Sequence, residues 1–312
     1  MQLSRVLVAV TGSIALAACY HGGGGSGGGA VENRTAKPLA LAASSDVLAF
    51  LPMDSEIVLG LDARQIVASP LWKHAGPQLM ARIAKGVGDF QATCGYDPIA
   101  ALQSVTVGLK ATTPIDGVFV LRGLPRDKTL ACAGRAIPRQ PPIVVEGGII
   151  TVPGDGPDDP PAVMTFADAT TLVVATSRGK LDAALASGAP LRRSRAFSEL
   201  WALVDAKRAV WAILNGSSRA FSSLASFGVR PRAMFGSIAL TNGLSLSGRL
   251  RLGTADEATQ LASLGQSQVG PMQTMVDKVE IGADGVDVTL RVDMTAAQLD
   301  MLAGMATSML RP

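Results

Sequence analysis

Histidine is almost missing from this chain, with two in 312 residues. His21 stands in a glycine tract, so only His74 belongs to the part of the sequence that carries a folding pattern. A Ser-His-Asp or Cys-His relay would have to run through that one residue, which sits beside Lys73 in a helical stretch. A lone helical histidine reads instead as a surface or packing residue. No His/Cys cluster has zinc spacing. Aromatic residues make up 4%, too few for the stacking platforms that single-stranded nucleic acid needs. Lys and Arg number 28 against 25 Asp and Glu. That balance gives no basic face for nucleic acid. No phosphate-cradling G-x-x-x-x-G-K-[ST] loop is present, and no G-x-G-x-x-G follows a strand. No cofactor and no metal are therefore expected. Nor does any segment approach the roughly 20 apolar residues of a membrane-spanning helix.

What the chain does have begins at its first residues. Arg5 supplies a short positive region, and Val6 to Ala18 follow as a mostly apolar stretch of 13 residues. This is the pattern of an export signal over residues 1–18. Leu16-Ala17-Ala18-Cys19 then resembles the lipobox of bacterial lipoprotein precursors: an aliphatic residue, two small residues and a cysteine. The resemblance implies cleavage before Cys19, a diacylglyceryl thioether on its sulfur, and a fatty acyl group such as palmitate on its new amino group. Chains that bury about 0.8 kcal/mol per CH₂ make a durable anchor. In such precursors an Asp after the cysteine signals inner-membrane retention. Here Tyr20 follows, so the resemblance implies an outer-membrane address, with the facing side left open.

Residues 19–45 read as a tether. Gly22 to Gly29 are interrupted only by Ser26, and such a stretch cannot bury enough apolar surface to offset its ordering entropy. As Gly-rich coil it spans roughly 28 Å on average. Gly24-Gly25-Ser26-Gly27-Gly28 formally matches G-x-S-x-G, but a nucleophile elbow needs a strand before it and a helix after it.

From Ser55 onward strands and helices alternate. Ser55 to Asp62 reads as a strand, and Ser69-Pro70 opens a helix as N-cap and first residue. Val105 to Lys110 and Gly117 to Arg122 read as strands, and Arg126 to Ala136 as a helix. Hairpins are expected around Gly147-Gly148 and Asp168-Ala169, followed by helices over Gly179 to Ala186 and Ser194 to Val204. A similar order then repeats. Ala209 to Leu214 is a strand and Ser218 to Phe227 a helix. A hairpin turns at Asn242-Gly243, a type I′ signal, and Ala255 to Leu264 is a helix. A second hairpin turns at Asp284-Gly285, and Thr295 to Leu310 is the closing helix. The expected fold is α+β: two tandem units of antiparallel sheet, each with helices packed on one face. The first unit is placed at 46–193 and the second at 194–312. The body also resembles uncharacterised bacterial lipoproteins with a tandem α+β architecture, through Ser55 to Asp62, Gly95-Tyr96-Asp97-Pro98 and Arg122-Gly123. That resemblance brings no activity and no functional residues.

Four groups of residues remain as candidates. Cys94 and Cys132 form an even pair in an oxidising compartment and are expected to bond, the alternative being two separate thiols. Ser177-Arg178-Gly179-Lys180 matches S-x-x-K of serine hydrolases. The S-D-N and K-T-G partners of that motif are absent, so Ser177 reads better as an N-cap and Lys180 as a solvated first-turn residue. Asp155, Asp158 and Asp159 share a Pro/Gly loop without EF-hand spacing and read as a solvated acidic loop. Met294, Met301, Met305 and Met309 alternate with Leu299, Leu302 and Leu310 in one helical stripe that fits core packing.

The function that follows is a non-enzymatic, membrane-anchored lipoprotein of the bacterial envelope, a binding or interaction scaffold. It would contact the membrane through lipid on Cys19, and an envelope protein or an apolar ligand through its body. The alternatives are a serine hydrolase using Ser177 and Lys180, and a purely structural envelope protein.

Overall fold

The computed structural model describes residues 46–112, 115–136, 142–154, 161–186, 190–216, 228–270 and 276–301, with Ser218, Phe221 and Leu224. Cys19, the signal segment and the tether lie outside these residues. So do Asp155, Asp158, Asp159, Met305, Met309 and most of the helix expected over 218–227.

Antiparallel strand pairs and helices share the described body, so the α+β reading holds. The chain divides into two compact units, and neither is a continuous half. The larger takes 46–77, 104–120 and 188–312; the smaller takes 78–103 and 121–187. The expected second unit, 194–312, is a continuous segment, whereas the larger compact unit also draws on 46–77 and 104–120. The reason is strand pairing. The strand β1 (Ile57–Asp62) lies antiparallel to β2 (Ser104–Lys110) and, on its other edge, to β8 (Val210–Asn215). An order of elements along the chain cannot reveal that residues near 60 and near 210 share a ladder.

In the larger unit the hydrogen-bonded order is β11 (Lys278–Asp284), β12 (Asp287–Thr295), β10 (Gly243–Arg251), β9 (Ala233–Ala239), β8, β1, β2 and β3 (Asp116–Arg122). Every residue of β2 from Val105 to Leu109 is buried, as a short apolar run bounded by polar residues implies. Leu48, Leu51, Val58, Val107 and Leu191 are among the most deeply buried side chains. Asp46 caps the 3₁₀ turn Val47–Phe50 by accepting from the Leu48 N–H at 3.1 Å, and it also pairs with Arg192. The helix α1 (Ala63–Ala68), which the sequence reading missed, starts directly from β1, with Asp62 accepting from the Gln65 N–H at 2.9 Å.

The connection from β9 to β10 departs from expectation. A two-residue type I′ turn at Asn242-Gly243 would leave both residues outside the strands. Instead Gly243 is already the first residue of β10, paired with Thr295. Its φ is 141°, and a Cβ there would lie 2.1 Å from the Met294 carbonyl oxygen. Glycine is required by the neighbouring backbone, which hairpin statistics do not consider. Beyond the strands, α6 (Ala255–Gln268) begins with a reciprocal capping box between Thr254 and Glu257. It buries Ala258 and Ala262 with Leu252 and Val288.

In the smaller unit the strands run β7 (Thr171–Ala175), β6 (Ala162–Phe166), β5 (Ile149–Val152) and β4 (Val144–Glu146), all antiparallel. The helix α2 (Pro70–Cys94) runs further than its opening signal showed; its later part, with Ile83 and Val87 buried, belongs here. The Asp of the Gly-Tyr-Asp-Pro step caps a one-turn helix, α3 (Pro98–Ala101), by accepting from the N–H groups of Ile99 and Ala100. Two residues on, the Gln103 N–H donates to the Arg122 carbonyl at 2.7 Å, so the Gly-x-Asp-Pro and Arg-Gly steps meet. The helix α4 (Arg126–Ala136) packs Ala133 against Ile150 and Val152, and α5 (Arg178–Leu185) buries Leu181 completely.

Candidate functional site

The sequence-predicted residues do not converge. Cys94, the last residue of α2, and Cys132 of α4 stand as a disulfide pair, their Cα atoms 5.2 Å apart. Both are buried, with Phe90 and Tyr96 against them. The two rings meet edge to face at 5.3 Å. The Tyr96 hydroxyl is 2.7 Å from that of Thr129, which donates to the Pro125 carbonyl. Burial pushes the Tyr96 phenol up from its usual range, and the Thr129 contact partly opposes this. The arrangement is a packed staple.

Ser177 is exposed at the start of α5, and its Oγ accepts from the Lys180 N–H at 3.3 Å. The hydroxyl thus acts as a helix cap. His74 lies within α2, far along the chain from Ser177. Among the described residues no group of three His, Cys, Asp or Glu could hold a metal ion. The methionine stripe holds only in part: Leu299 is buried, whereas Met301 is 53% exposed.

The most distinctive polar arrangement arises from strand register. On β10 and β12 apolar and polar residues alternate, so each strand sends one set to each face, and the register of β9 brings its single serine opposite the polar set. Ser237 of β9 faces Ser247 of β10, and Ser247 faces Arg291 of β12. One step along, Ser245 faces Asp293. Ser237, Ser245, Ser247 and Arg291, with Arg208, which precedes β8, line a recess of about 150 Å³. A second hollow of about 250 Å³ shares Arg208 and Ser245 and adds Asn242, Asp277 and Asp293.

The charges here are held in place. Ser245 Oγ donates to Asp293 Oδ1 at 2.6 Å, and Arg291 Nε donates to Asp293 Oδ2 at 2.8 Å. These contacts hold the Asp293 carboxyl below the usual carboxylate range, with the serine the larger cause. Arg208 Nε donates to Asp205 Oδ2 at 2.7 Å, and that guanidinium holds the Asp205 carboxyl low. Each carboxylate engages its arginine through Nε. The hydroxyls of Ser237 and Ser247 make no hydrogen bond to another described residue. At the far end of the same ladder, Asp287 is 3% exposed and accepts from Arg251 at 2.7 and 3.0 Å, while Arg251 lies 5.4 Å over the Phe235 ring. The two residues are register partners of β10 and β12.

No family model matches this chain, and no curated protein matches it. Solved structures do. Crystal form I of TP0453 aligns with a TM-score of 0.51 at 12% identity, over 86% of this chain and 100% of that one. Crystal form III aligns with a TM-score of 0.53, also at 12% identity, over 84% of this chain and 100% of the other. At that identity the likeness is one of fold.

None of Arg208, Ser237, Ser245, Ser247 or Arg291 was singled out from sequence. A usable signal was present in "LSLSGRLR" and "DVTLRVDM", whose period-2 alternation sets polar side chains on one face. What was missing was the pairing partner of each strand.

Proposed function

We propose that this chain is a membrane-anchored lipoprotein of the bacterial envelope that works by binding rather than by catalysis. The observation that carries the reading is Leu16-Ala17-Ala18-Cys19 at the end of a short apolar run, followed by a glycine tract. Fatty acyl chains on Cys19 would anchor the chain, and residues 19–45 would tether the folded body. Tyr20 after the cysteine supports an outer-membrane address. Among the described residues no helix is long and apolar enough to cross a membrane, which is compatible with attachment through lipid. The binding half of the reading is supported by the recess on β9, β10 and β12, where guanidinium and hydroxyl groups converge at the surface. It is also supported by Ser177, which caps α5 through the Lys180 N–H, and by the absence from the sequence of the S-D-N and K-T-G partners that the S-x-x-K match would need.

The test is intact-mass spectrometry of detergent-extracted protein expressed in a bacterial host. The expected species begins at Cys19 and carries diacylglyceryl and acyl groups, and Cys19→Ala yields neither the mass increment nor membrane fractionation. A mature species without acylation refutes the anchor.

A further inference from the structure

We propose that the recess lined by Arg208, Ser237, Ser247 and Arg291 is a binding site for a tetrahedral oxyanion, specifically a phosphate group. This rests on the reading of the body as a binding module and names the ligand chemistry of that same site.

The argument is one of unmatched donors. A guanidinium carries five N–H donors in a planar fork. At Arg208 and at Arg291 the carboxylate partner accepts from Nε. The terminal amino groups of both arginines make no hydrogen bond to another described residue. Holding the guanidinium at Nε fixes its plane and leaves its terminal donors for a second acceptor. Arginine is the residue that meets phosphate oxygens in this way. The two serine hydroxyls add donors from adjacent strands, directly opposite one another, and they too have no partner among the described residues. Donors therefore come from three sides: Arg208 before β8, the serine pair on β9 and β10, and Arg291 on β12. A recess of about 150 Å³ suits one small oxyanion.

Acidic groups also face this region and must be counted. Asp205, Asp293 and Glu280, the register partner of Arg291 on β11, reduce the net positive charge, and Glu280 is itself paired with Lys278 at 2.8 Å, so affinity is expected to be modest. Asp293 already accepts from Ser245 and Arg291, which ties its oxygens away from an incoming anion. An uncharged sugar would use the hydroxyls but would leave the guanidinium forks unmatched, and an apolar ligand would match nothing in the recess.

The same phosphate chemistry has two sources, a soluble phosphate ester and a phospholipid headgroup. The experiment titrates the full chain in detergent with inorganic phosphate at constant ionic strength. It follows backbone amide shifts by NMR and adds glycerol 3-phosphate and vesicles of phosphatidic acid in phosphatidylcholine as further arms. The expected result is saturable shifts centred on Ser237, Ser247 and Arg291. Arg291→Gln should weaken binding roughly 10- to 100-fold, the scale of a lost charge-assisted hydrogen bond. Ser247→Ala should weaken it less, and Arg178→Gln, a surface arginine on α5, should change nothing. Tighter binding to the vesicles than to glycerol 3-phosphate assigns the headgroup, and the reverse assigns a soluble ester. Absence of saturation, or shifts spread over the surface and unchanged in Arg291→Gln, overturns the proposal. Native mass spectra of the same preparation keep the two readings apart. A retained envelope ligand or partner without a phosphate response removes the oxyanion and leaves the binding module. Loss of both removes both.

Discussion

Gly60 and Trp211 are register partners on β1 and β8, and the indole fills the space that a side chain at position 60 would need. A Cβ on Gly60 would lie 2.1 Å from the indole ring. The indole cannot simply retreat, because Trp211 packs edge to face on Trp201 at 4.7 Å and Trp201 stacks on Phe197 at 6.0 Å. Gly60→Ala should therefore destabilise the larger unit by about 1–3 kcal/mol, the usual cost of overpacking. Urea unfolding followed by tryptophan emission reads both the lower midpoint and the disturbed indole. An unchanged midpoint would show that the aromatic stack yields freely.

The Cys94–Cys132 bond closes a loop of 38 residues. In the chain-entropy model that constraint contributes about 4 kcal/mol. The double variant Cys94→Ala, Cys132→Ala should lower the urea midpoint of the smaller unit accordingly. Thiol alkylation of the urea-unfolded wild-type chain without reductant should label neither residue, since both sulfurs are held in the bond. Two alkylated thiols would rule the bond out.

Acid should weaken the larger unit through Asp287. Its carboxyl is held below the usual range, first by hydrogen bonds from Arg251 and then by the charges of Arg251 and Arg249. A depressed carboxylate contributes stability above its unfolded pKa of about 3.9 and loses it as pH falls through the lower folded value. Unfolding free energy should therefore be flat near neutrality and fall below about pH 4. Asp205 and Asp293, also held low, act in the same window. Asp287→Asn should cost about 2–4 kcal/mol near neutrality, because Arg251 loses its partner, and should flatten the acid limb. A variant with the wild-type acid limb would assign that limb to other groups.

Ser177 is expected to matter for stability alone. Ser177→Ala should cost about 1 kcal/mol through loss of the cap on α5, and Ser177→Asp should restore it. Thermal melts of the three proteins separate this from catalysis, since aspartate caps well but cannot be acylated. Covalent labelling of Ser177 by a fluorophosphonate or a β-lactam would contradict the cap role.

Much of the local structure was legible because it is local. The apolar run in Val105 to Lys110, the helix opening after Ser194 and the fit of α4 to Arg126 to Ala136 depend only on residues within a few positions. The Ser177 cap was readable for the same reason. The arrangement of units was not, because β1 completes its ladder with β8 and nothing near Ile57 names Leu214 as a partner. The recess was hidden by the same gap. Ser237, Ser247 and Arg291 are ordinary outward residues until two registers set them in one row. Gly243 shows the limit most directly, since its dipeptide suggested a turn while the passing Met294 carbonyl decided the residue.

The position of β1 between β2 and β8 also sets a timetable. Synthesis proceeds from the N-terminus, so β2 becomes available to β1 early, whereas β8 arrives only after the whole smaller unit has been made. Until then one edge of β1 has open backbone donors and acceptors, which invite pairing with other chains. A ladder closed across such a separation is slow to form. Chains truncated before Val210 should accumulate as aggregates, while chains extended through Asn215 should begin to resist proteolysis. In a growing chain, β8 is the strand whose arrival ends that exposure.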